Sequence, residues 1–141
     1  MMINLEDGSN LLIIPYENKD FEGIQKLNKD EGWTNLVENS MKTKSAWENS
    51  NIAFVVETES GKLVGYIRGQ TDTSVSLFVC EMLIHKNYRN LAIGRKLLQF
   101  VHDLYPDTRI EVLATSTSRS FYENLGYRPF YGYRKTYSEE N

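Results

Sequence analysis

Residues 83–98 place an apolar strand, a turn of small residues and an amphipathic helix in direct succession. The turn contains Ala92 and Gly94, so its backbone can come close to a ligand. The first N–H groups of the following helix lack helical partners and point outward at such a ligand. Together with the positive end of the helix dipole and the guanidinium of Arg89, they predict a binding site for a phosphate or pyrophosphate group.

Composition limits the classes of protein that this chain can belong to. The 141 residues are 40% hydrophobic and 25% charged, which predicts a single globular domain over 1–141. The net charge is −3 and Lys and Arg form no run, so a general nucleic-acid or anionic-membrane binder is not expected. Residues 1–7 lack the order of a signal peptide, and no apolar run is long enough to span a bilayer. We expect a soluble, cytoplasmic protein in which Cys80, the single cysteine, is a small buried hydrophobe.

Apolar periodicity predicts an α/β fold with a mixed sheet and the order β-α-α-β-β-β-α-β-α-β. The predicted strands are 10–15, 52–56, 63–67, 74–84, 109–114 and a last one after 126, and the predicted helices begin near 21, 34, 93 and 118. The last strand rests on the even spacing of Tyr127, Tyr131, Tyr133 and Tyr137, which puts these rings on one face of an extended chain. That aromatic face is either part of the core or a dimer contact, so the chain is a monomer or a homodimer.

Two motifs resemble those of the GNAT superfamily of acetyl-coenzyme-A-dependent N-acetyltransferases. The hexapeptide Arg89-Asn90-Leu91-Ala92-Ile93-Gly94 is similar to the family's pyrophosphate motif, with Ala92 where the family usually has glycine. The segment Ser120-Phe121-Tyr122-Glu123-Asn124-Leu125-Gly126-Tyr127 is similar to the family's later helix motif with its tyrosine. Each follows a predicted strand, and the resemblance covers nearly the whole chain in element order.

The resemblance implies acetyl-coenzyme A as acetyl donor, no metal, and direct attack by an amine without a covalent enzyme intermediate. It assigns the coenzyme to the residues of the hexapeptide, to Arg95 and to Thr115, which stands roughly where many members have asparagine. It places an oxyanion-stabilising backbone N–H around Leu83 or Ile84, and it makes Tyr122 the general acid for the departing thiolate. A non-catalytic acyl-coenzyme-A sensor or an interaction module on the same fold is the alternative.

The sequence leaves alternatives open for the catalytic base and for the acceptor site. Glu81 lies among apolar neighbours in a strand, where it is either a base with a pKa raised by burial or a solvent-facing partner of a lysine; His85 and water are the other candidate bases. By the resemblance, the acceptor pocket includes Asp30, Glu31, Trp33 and Asp72. Carboxylates beside a tryptophan suit the amine of a small molecule or peptide through ion pairing and cation–π contact, although solvated turn acids and a core tryptophan explain them equally well.

Overall fold

A computed structural model describes residues 1–139, in which six strands form one sheet whose spatial order is the chain order. The strands are β1 (Met2–Asn4), β2 (Asn10–Pro15), β3 (Ile52–Thr58), β4 (Leu63–Thr71), β5 (Ser76–Ile84) and β6 (Arg109–Val112). The helices are α1 (Phe21–Glu31), α2 (Thr34–Glu38), α3 (Ser40–Glu48), α4 (Ile93–Leu104) and α5 (Arg119–Asn124). Neighbouring strands are antiparallel except β5 and β6, which are parallel and connected through α4.

The sheet has helices on both faces. On one face, Ile24 and Leu27 of α1 and Trp47 of α3 pack with Tyr66 and Leu83. On the other face, α4 contributes a buried stripe, because a helical repeat brings its apolar residues to one side. That stripe consists of Ile93, Leu97, Leu98 and Val101 and packs in one cluster with Val56, Ile67, Leu77 and Val79. Burial of both faces explains why the central strands are rich in apolar residues.

A β-bulge changes the alternation of β5. Val79 pairs with Gly69 whereas Glu81 pairs with Arg68, so Cys80 is the extra residue. After this extra residue, Met82 and Ile84 pack toward the α4 cluster, on the same side as Leu77 and Val79. Leu83 packs with α1 and α3 instead. The bulge thus lets one strand place apolar side chains on the α4 face along its whole length.

The second half of β5 has only one strand partner. The last pair of the β5–β6 ladder is Val79 with Val112, whereas the β4–β5 ladder continues to the pair of Gly65 and Ile84. Residues 80–84 therefore leave β6 while they stay bound to β4. We call the β6-facing side of residues 80–84 the open edge, since its backbone groups have no strand opposite them.

The structure confirms the mixed α/β sheet and most predicted elements, but it differs from the prediction in four places. The single helix predicted from 34 is two helices, α2 and α3, and β1 was not predicted at all. Residues 126–139 form no strand, and Tyr131, Tyr133 and Tyr137 are 94%, 94% and 105% exposed, so they are not core. Even spacing predicts which side chains would share a face but supplies no hydrogen-bonded partner for the backbone. Cys80 is half-buried rather than buried because it lies in the bulge.

Within residues 1–139, no helix combines the length and the apolar character that crossing a bilayer requires. A chain of buried and partly buried hydrogen bonds connects the sheet to the helices on its α1 face. The Tyr66 hydroxyl donates to Asn28 Oδ1 at 2.5 Å, Asn28 Nδ2 donates to Gln25 Oε1 at 2.9 Å, and Gln25 Nε2 donates to the Leu36 carbonyl at 2.9 Å. Tyr66 and Asn28 are both fully buried, and burial raises the pKa of the Tyr66 phenol.

Replacing Tyr66 with Phe leaves the buried Asn28 oxygen without its donor. We expect a loss of about 1–3 kcal/mol in the free energy of unfolding, measured by urea denaturation. Tyr131→Phe is the control, because its ring is 94% exposed, and it should leave the midpoint unchanged. Equal midpoints for the two variants would contradict a structural role for the Tyr66 hydroxyl.

Candidate active site

Three elements meet where β5 separates from β6: the end of β5, the start of α4, and α5. Gly94 lies at the contact, and a Cβ atom added there would be 3.2 Å from Phe121 Cζ and 3.4 Å from Met82 Cε. A larger residue at 94 would crowd the ends of the Phe121 and Met82 side chains. The glycine therefore allows α5 to pack closely on the first turn of α4.

The loop between β5 and α4 contains two non-glycine residues with left-handed backbone. Asn90 has φ 65° and Ala92 has φ 62°, directly before α4 begins at Ile93. Asparagine tolerates this conformation, whereas alanine in it costs roughly 1–2 kcal/mol. The Ala92 carbonyl accepts from the Lys96 N–H at 3.0 Å and so starts the helical hydrogen bonds. The loop delivers the free N–H groups of the first turn of α4 to the surface, a geometry that suits an anion.

The other predicted coenzyme residues lie in or beside this loop. Leu91 is 43% exposed, Arg95 is exposed on the first turn of α4, and Ile93 is buried in the α4 core. Thr115 lies beyond β6, and its N–H and hydroxyl bond to Ser118 Oγ at 2.9 and 3.1 Å. Its hydroxyl therefore organises the turn that begins α5.

Arg89 connects the loop to two other elements. Its Nε donates to the Ile84 carbonyl at 3.0 Å, and its Nη2 bonds to Glu31 Oε1 at the end of α1. The side chains of Arg89 and Glu31 are 43% and 31% exposed. One residue predicted for the coenzyme and one predicted for the acceptor are thus ion-paired with each other.

Backbone N–H groups alternate in direction along β5, and this distinguishes the N–H of Leu83 from that of Ile84. The His85 N–H donates to the Val64 carbonyl at 2.8 Å, so Gly65 and Ile84 are a non-hydrogen-bonded pair of the antiparallel ladder. The N–H of Leu83 therefore points to β4, and the N–H and carbonyl of Ile84 point to the open edge. The Arg89 bond to the Ile84 carbonyl agrees with this orientation.

Tyr122 lies on α5 between two other aromatic rings. Its ring centroid is 5.0 Å from that of Phe121 and 5.5 Å from that of Tyr127, both edge-to-face. Tyr122 packs in the same cluster as Met82 and Ile84. Burial raises the pKa of Tyr122, and burial together with Tyr122 raises the pKa of Tyr127 to about 12. The Tyr122 phenol is therefore protonated at neutral pH.

The candidate bases have different surroundings. Glu81 Oε1 accepts from Arg68 Nε at 2.9 Å across the β4–β5 ladder, and Arg68 Nη1 reaches Ser50 Oγ at 3.2 Å. The partner of Glu81 is thus an arginine rather than a lysine. His85 Nδ1 accepts from the Asn87 N–H at 3.0 Å, and partial burial and the nearby Lys62 lower the pKa of His85.

The structure does not bring all predicted acceptor residues together. Asp30, Glu31 and Trp33 lie at the end of α1, where Trp33 is half-buried and packs against the α1-face core. Asp72 lies before β5, at the opposite end of that strand from Arg89. Its Oδ1 accepts from the N–H groups of Ser74, Val75 and Ser76 at 2.7–3.0 Å, which lowers its pKa to about 2. Those bonds hold the β4–β5 turn.

Two surface depressions lie beside α1 rather than at the open edge. The larger, about 620 Å³, contains Lys19, Glu22 and Glu57, and the smaller, about 300 Å³, contains Asp30, Lys62 and His85. Neither brings an acid, a base and an anion-binding backbone to one point. Among residues 1–139 no group of His, Cys, Asp and Glu side chains has a metal-binding arrangement.

Sequence reasoning missed Arg68, Met82 and Phe121, which shape the site. Arg68 is identified only by the register of β4 against β5, and Met82 and Phe121 only by their approach to Gly94. A strand pattern does not state its register. The one sequence signal for Phe121 was its place in the helix motif beside Tyr122.

A family model described as an acetyltransferase (GNAT) domain matches residues 9–137. The chain belongs to the GNAT acetyltransferase family. A curated relative from Gracilaria tenuistipitata var. liui, described as an uncharacterized N-acetyltransferase, is 28% identical over 110 residues, or 74% of this chain. The chain spans 59% of that relative's length.

Solved GNAT structures have the same fold. A GNAT-family acetyltransferase from Streptococcus pneumoniae has a TM-score of 0.75 and 21% identity, with 92% of this chain and 99% of that one covered. An aminoglycoside N-acetyltransferase in complex with coenzyme A has a TM-score of 0.70 and 14% identity, with 91% and 96% covered. These likenesses establish the fold of this GNAT domain.

The GNAT donor, acetyl-coenzyme A, fits the residues present. The N–H of Ile84 faces the open edge, the first N–H groups of α4 have no helical partners, and Arg89, which lies in the chain between β5 and α4, contacts the Ile84 carbonyl. Ala92 has the left-handed backbone that glycine would adopt without strain, so the alanine preserves the shape of the loop.

Ala92→Gly should stabilise this GNAT domain by about 0.5–1 kcal/mol, because relief of left-handed strain outweighs the greater freedom of glycine in the unfolded chain. The measurement is the free energy of unfolding from urea denaturation. Ala46→Gly inside α3 is the matched control and should destabilise by roughly 1 kcal/mol. If both changes destabilised equally, residue 92 would not be strained.

Proposed function

We propose that this protein transfers the acetyl group of acetyl-coenzyme A to a primary amine of a small molecule or peptide, in a ternary complex. The observation that carries the proposal is the separation of β5 from β6 at the point where the first turn of α4 meets Phe121 of α5, the neighbour of Tyr122. Acetyl-coenzyme A supplies the thioester carbon that the amine attacks. The remaining steps belong to side chains and backbone of this chain.

The backbone around the open edge binds acetyl-coenzyme A and polarises its thioester carbonyl. The N–H of Ile84, rather than that of Leu83, is positioned to donate to a developing oxyanion, because the Leu83 N–H is bonded to β4. The N–H groups that open α4, together with Arg89, Asn90 and Ala92 of the preceding loop, hold the pyrophosphate.

Proton transfer requires an acid and a base. Tyr122 is the acid for the departing thiolate, since its raised pKa keeps the phenol protonated at neutral pH. On the opposite face of β5, Glu81 is the proposed base, with Oε1 bonded to Arg68 and the second carboxylate oxygen left to accept a proton. Amines with pKa near 10 are mostly protonated at pH 7, so this step is needed.

The acceptor approaches from the α1 side. Asp30 and Glu31 end α1 beside the half-buried Trp33, which suits a cationic amine. We also propose that the protein works in the cytoplasm.

The direct test is thiol release from acetyl-coenzyme A by purified protein with polyamines, aminoglycosides, amino acids and short peptides. Turnover above the acceptor-free blank is expected for at least one amine. Saturable binding of coenzyme A with no turnover on any amine would point to the sensor on the same fold instead.

Tyr122→Phe should lower kcat by about 100-fold or more with the dissociation constant of acetyl-coenzyme A within twofold, because only proton donation is lost. Tyr133→Phe, a change at a 94% exposed ring, is the matched control and should keep full turnover. With the phenol pKa raised, turnover of the unmodified protein should not fall as pH rises toward about 10. Unchanged kcat in Tyr122→Phe would remove this residue from the mechanism.

A further inference from the structure

The open edge is closed at one end by strand pairing. Val79 and Val112 are the last pair between β5 and β6, and we call this pair the closed end. At the other end, Ile84 is followed by the loop of Arg89, where the pyrophosphate is proposed to bind. A donor held by that loop reaches along the open edge toward the closed end. Because the acyl group is its terminal group, it lies nearest to the closed end.

Met82 is the β5 side chain that such an acyl group meets on the α4 face. Of residues 80–83, only Met82 packs with the α4 cluster, whereas Leu83 packs on the α1 face. A carbonyl bound to the Ile84 N–H, with its sulfur toward the α4 loop, directs its acyl carbons toward Met82, roughly 7 Å along the strand. Met82 is half-buried, so α4 and α5 do not cover its side chain completely.

The far end of the Met82 side chain is confined by two helices. A Cβ atom added at Gly94 would lie 3.4 Å from Met82 Cε and 3.2 Å from Phe121 Cζ. The Met82 methyl group therefore reaches the first turn of α4 beside the Phe121 ring. An unbranched thioether can change its shape, but the helix backbone and the ring block its movement away from β5. An acyl chain that extends to this side chain would be crowded by it.

We propose that Met82 determines the length of the acyl group that this protein transfers and limits it to acetyl, an inference that rests on the proposed function. The chemical step is the same for longer donors. The N–C bond forms, the C–S bond breaks, the amine proton passes to Glu81, and the thiolate takes a proton from Tyr122. Acetyl-, propionyl- and butyryl-coenzyme A differ only in the apolar chain that must fit beside Met82.

The first measurement is calorimetric titration, without amine, of the unmodified protein, Met82→Ala and Met82→Val with acetyl- and butyryl-coenzyme A. The unmodified protein should bind butyryl-coenzyme A about tenfold or more weakly, as expected for added methylenes in a full apolar pocket. Met82→Ala removes Cγ, Sδ and Cε, so its two dissociation constants should lie within about threefold of each other. Met82→Val removes less volume and should give an intermediate ratio.

The second measurement is the ratio of kcat/KM for butyryl- to acetyl-coenzyme A, followed by thiol release with the amine that gives the highest turnover. Met82→Ala should raise this ratio about tenfold or more. Val101→Ala is the matched control, because Val101 is fully buried in the same cluster but lies in the last turn of α4. Its truncation loosens the cluster away from the open edge and should leave the ratio unchanged.

Three outcomes overturn the role of Met82. The unmodified protein could bind and use both donors equally, both Met82 variants could keep its preference, or Val101→Ala could raise the ratio as much as Met82→Ala. Thermal unfolding shows which variants are folded, and Met82→Val, with a side chain suited to a strand, decides if the alanine variant is not.

Failure of the proposed function gives a different result. If the unmodified protein binds the donors with the expected preference but acetylates no amine, the transferase is wrong while the limit on acyl length stands. If it binds neither donor, both are wrong.

Discussion

The structure depends on how β5 divides its hydrogen bonds between two neighbours. It pairs with β4 as far as Ile84 but with β6 only as far as Val79, so the sheet opens between the two. The bulge at Cys80 falls at the same point and keeps Met82 and Ile84 on the α4 face after the strand has shifted by one residue. Opening the sheet leaves backbone groups without a strand partner, and such groups are retained in a fold where another group binds them. The site is thus a consequence of strand pairing rather than of a pre-formed cavity.

How well each helix or strand could be predicted depended on the strength of its local sequence pattern. The helical repeat of Ile93, Leu97 and Val101 predicted α4 correctly because burial of one stripe leaves few alternatives for such a pattern. The hairpin around Gly61 was likewise local, and Gly61 has a left-handed φ of 88°. The three-residue β1 had too few residues to show a period, and it exists because β2 offers it an edge. The tail has evenly spaced tyrosines but no neighbouring strand to pair with, so its spacing predicted a strand that does not form.

The residues of the candidate site were likewise predictable only where the sequence pattern is local. The stretch from Arg89 to Gly94 was locatable because strand, turn and helix are contiguous, and the helix motif located Tyr122. What sequence could not supply was the partner of each polar group. Arg68 lies opposite Glu81 only because the bulge shifts the register of β5 by one residue. The Asp72 carboxylate accepts hydrogen bonds from N–H groups two to four residues away. Motifs identify groups that can do chemistry, and the contacts of those groups come from tertiary structure.

Charge arrangement at the site follows from the two ligands that it is proposed to bind. A polyanion and a cationic amine must lie close together, so the site needs a cation for one and an anion for the other. Pairing Arg89 with Glu31 satisfies both side chains before any ligand is present. The pair lies at the surface end of the site, with side chains 43% and 31% exposed, so solvent screening weakens it. Arg68 and Glu81 are only 14% and 19% exposed, and their ion pair joins β4 to β5 directly after the bulge. Depth below the surface therefore distinguishes the Arg89–Glu31 pair, which solvent and ligands can reach, from the Arg68–Glu81 pair, which joins two central strands.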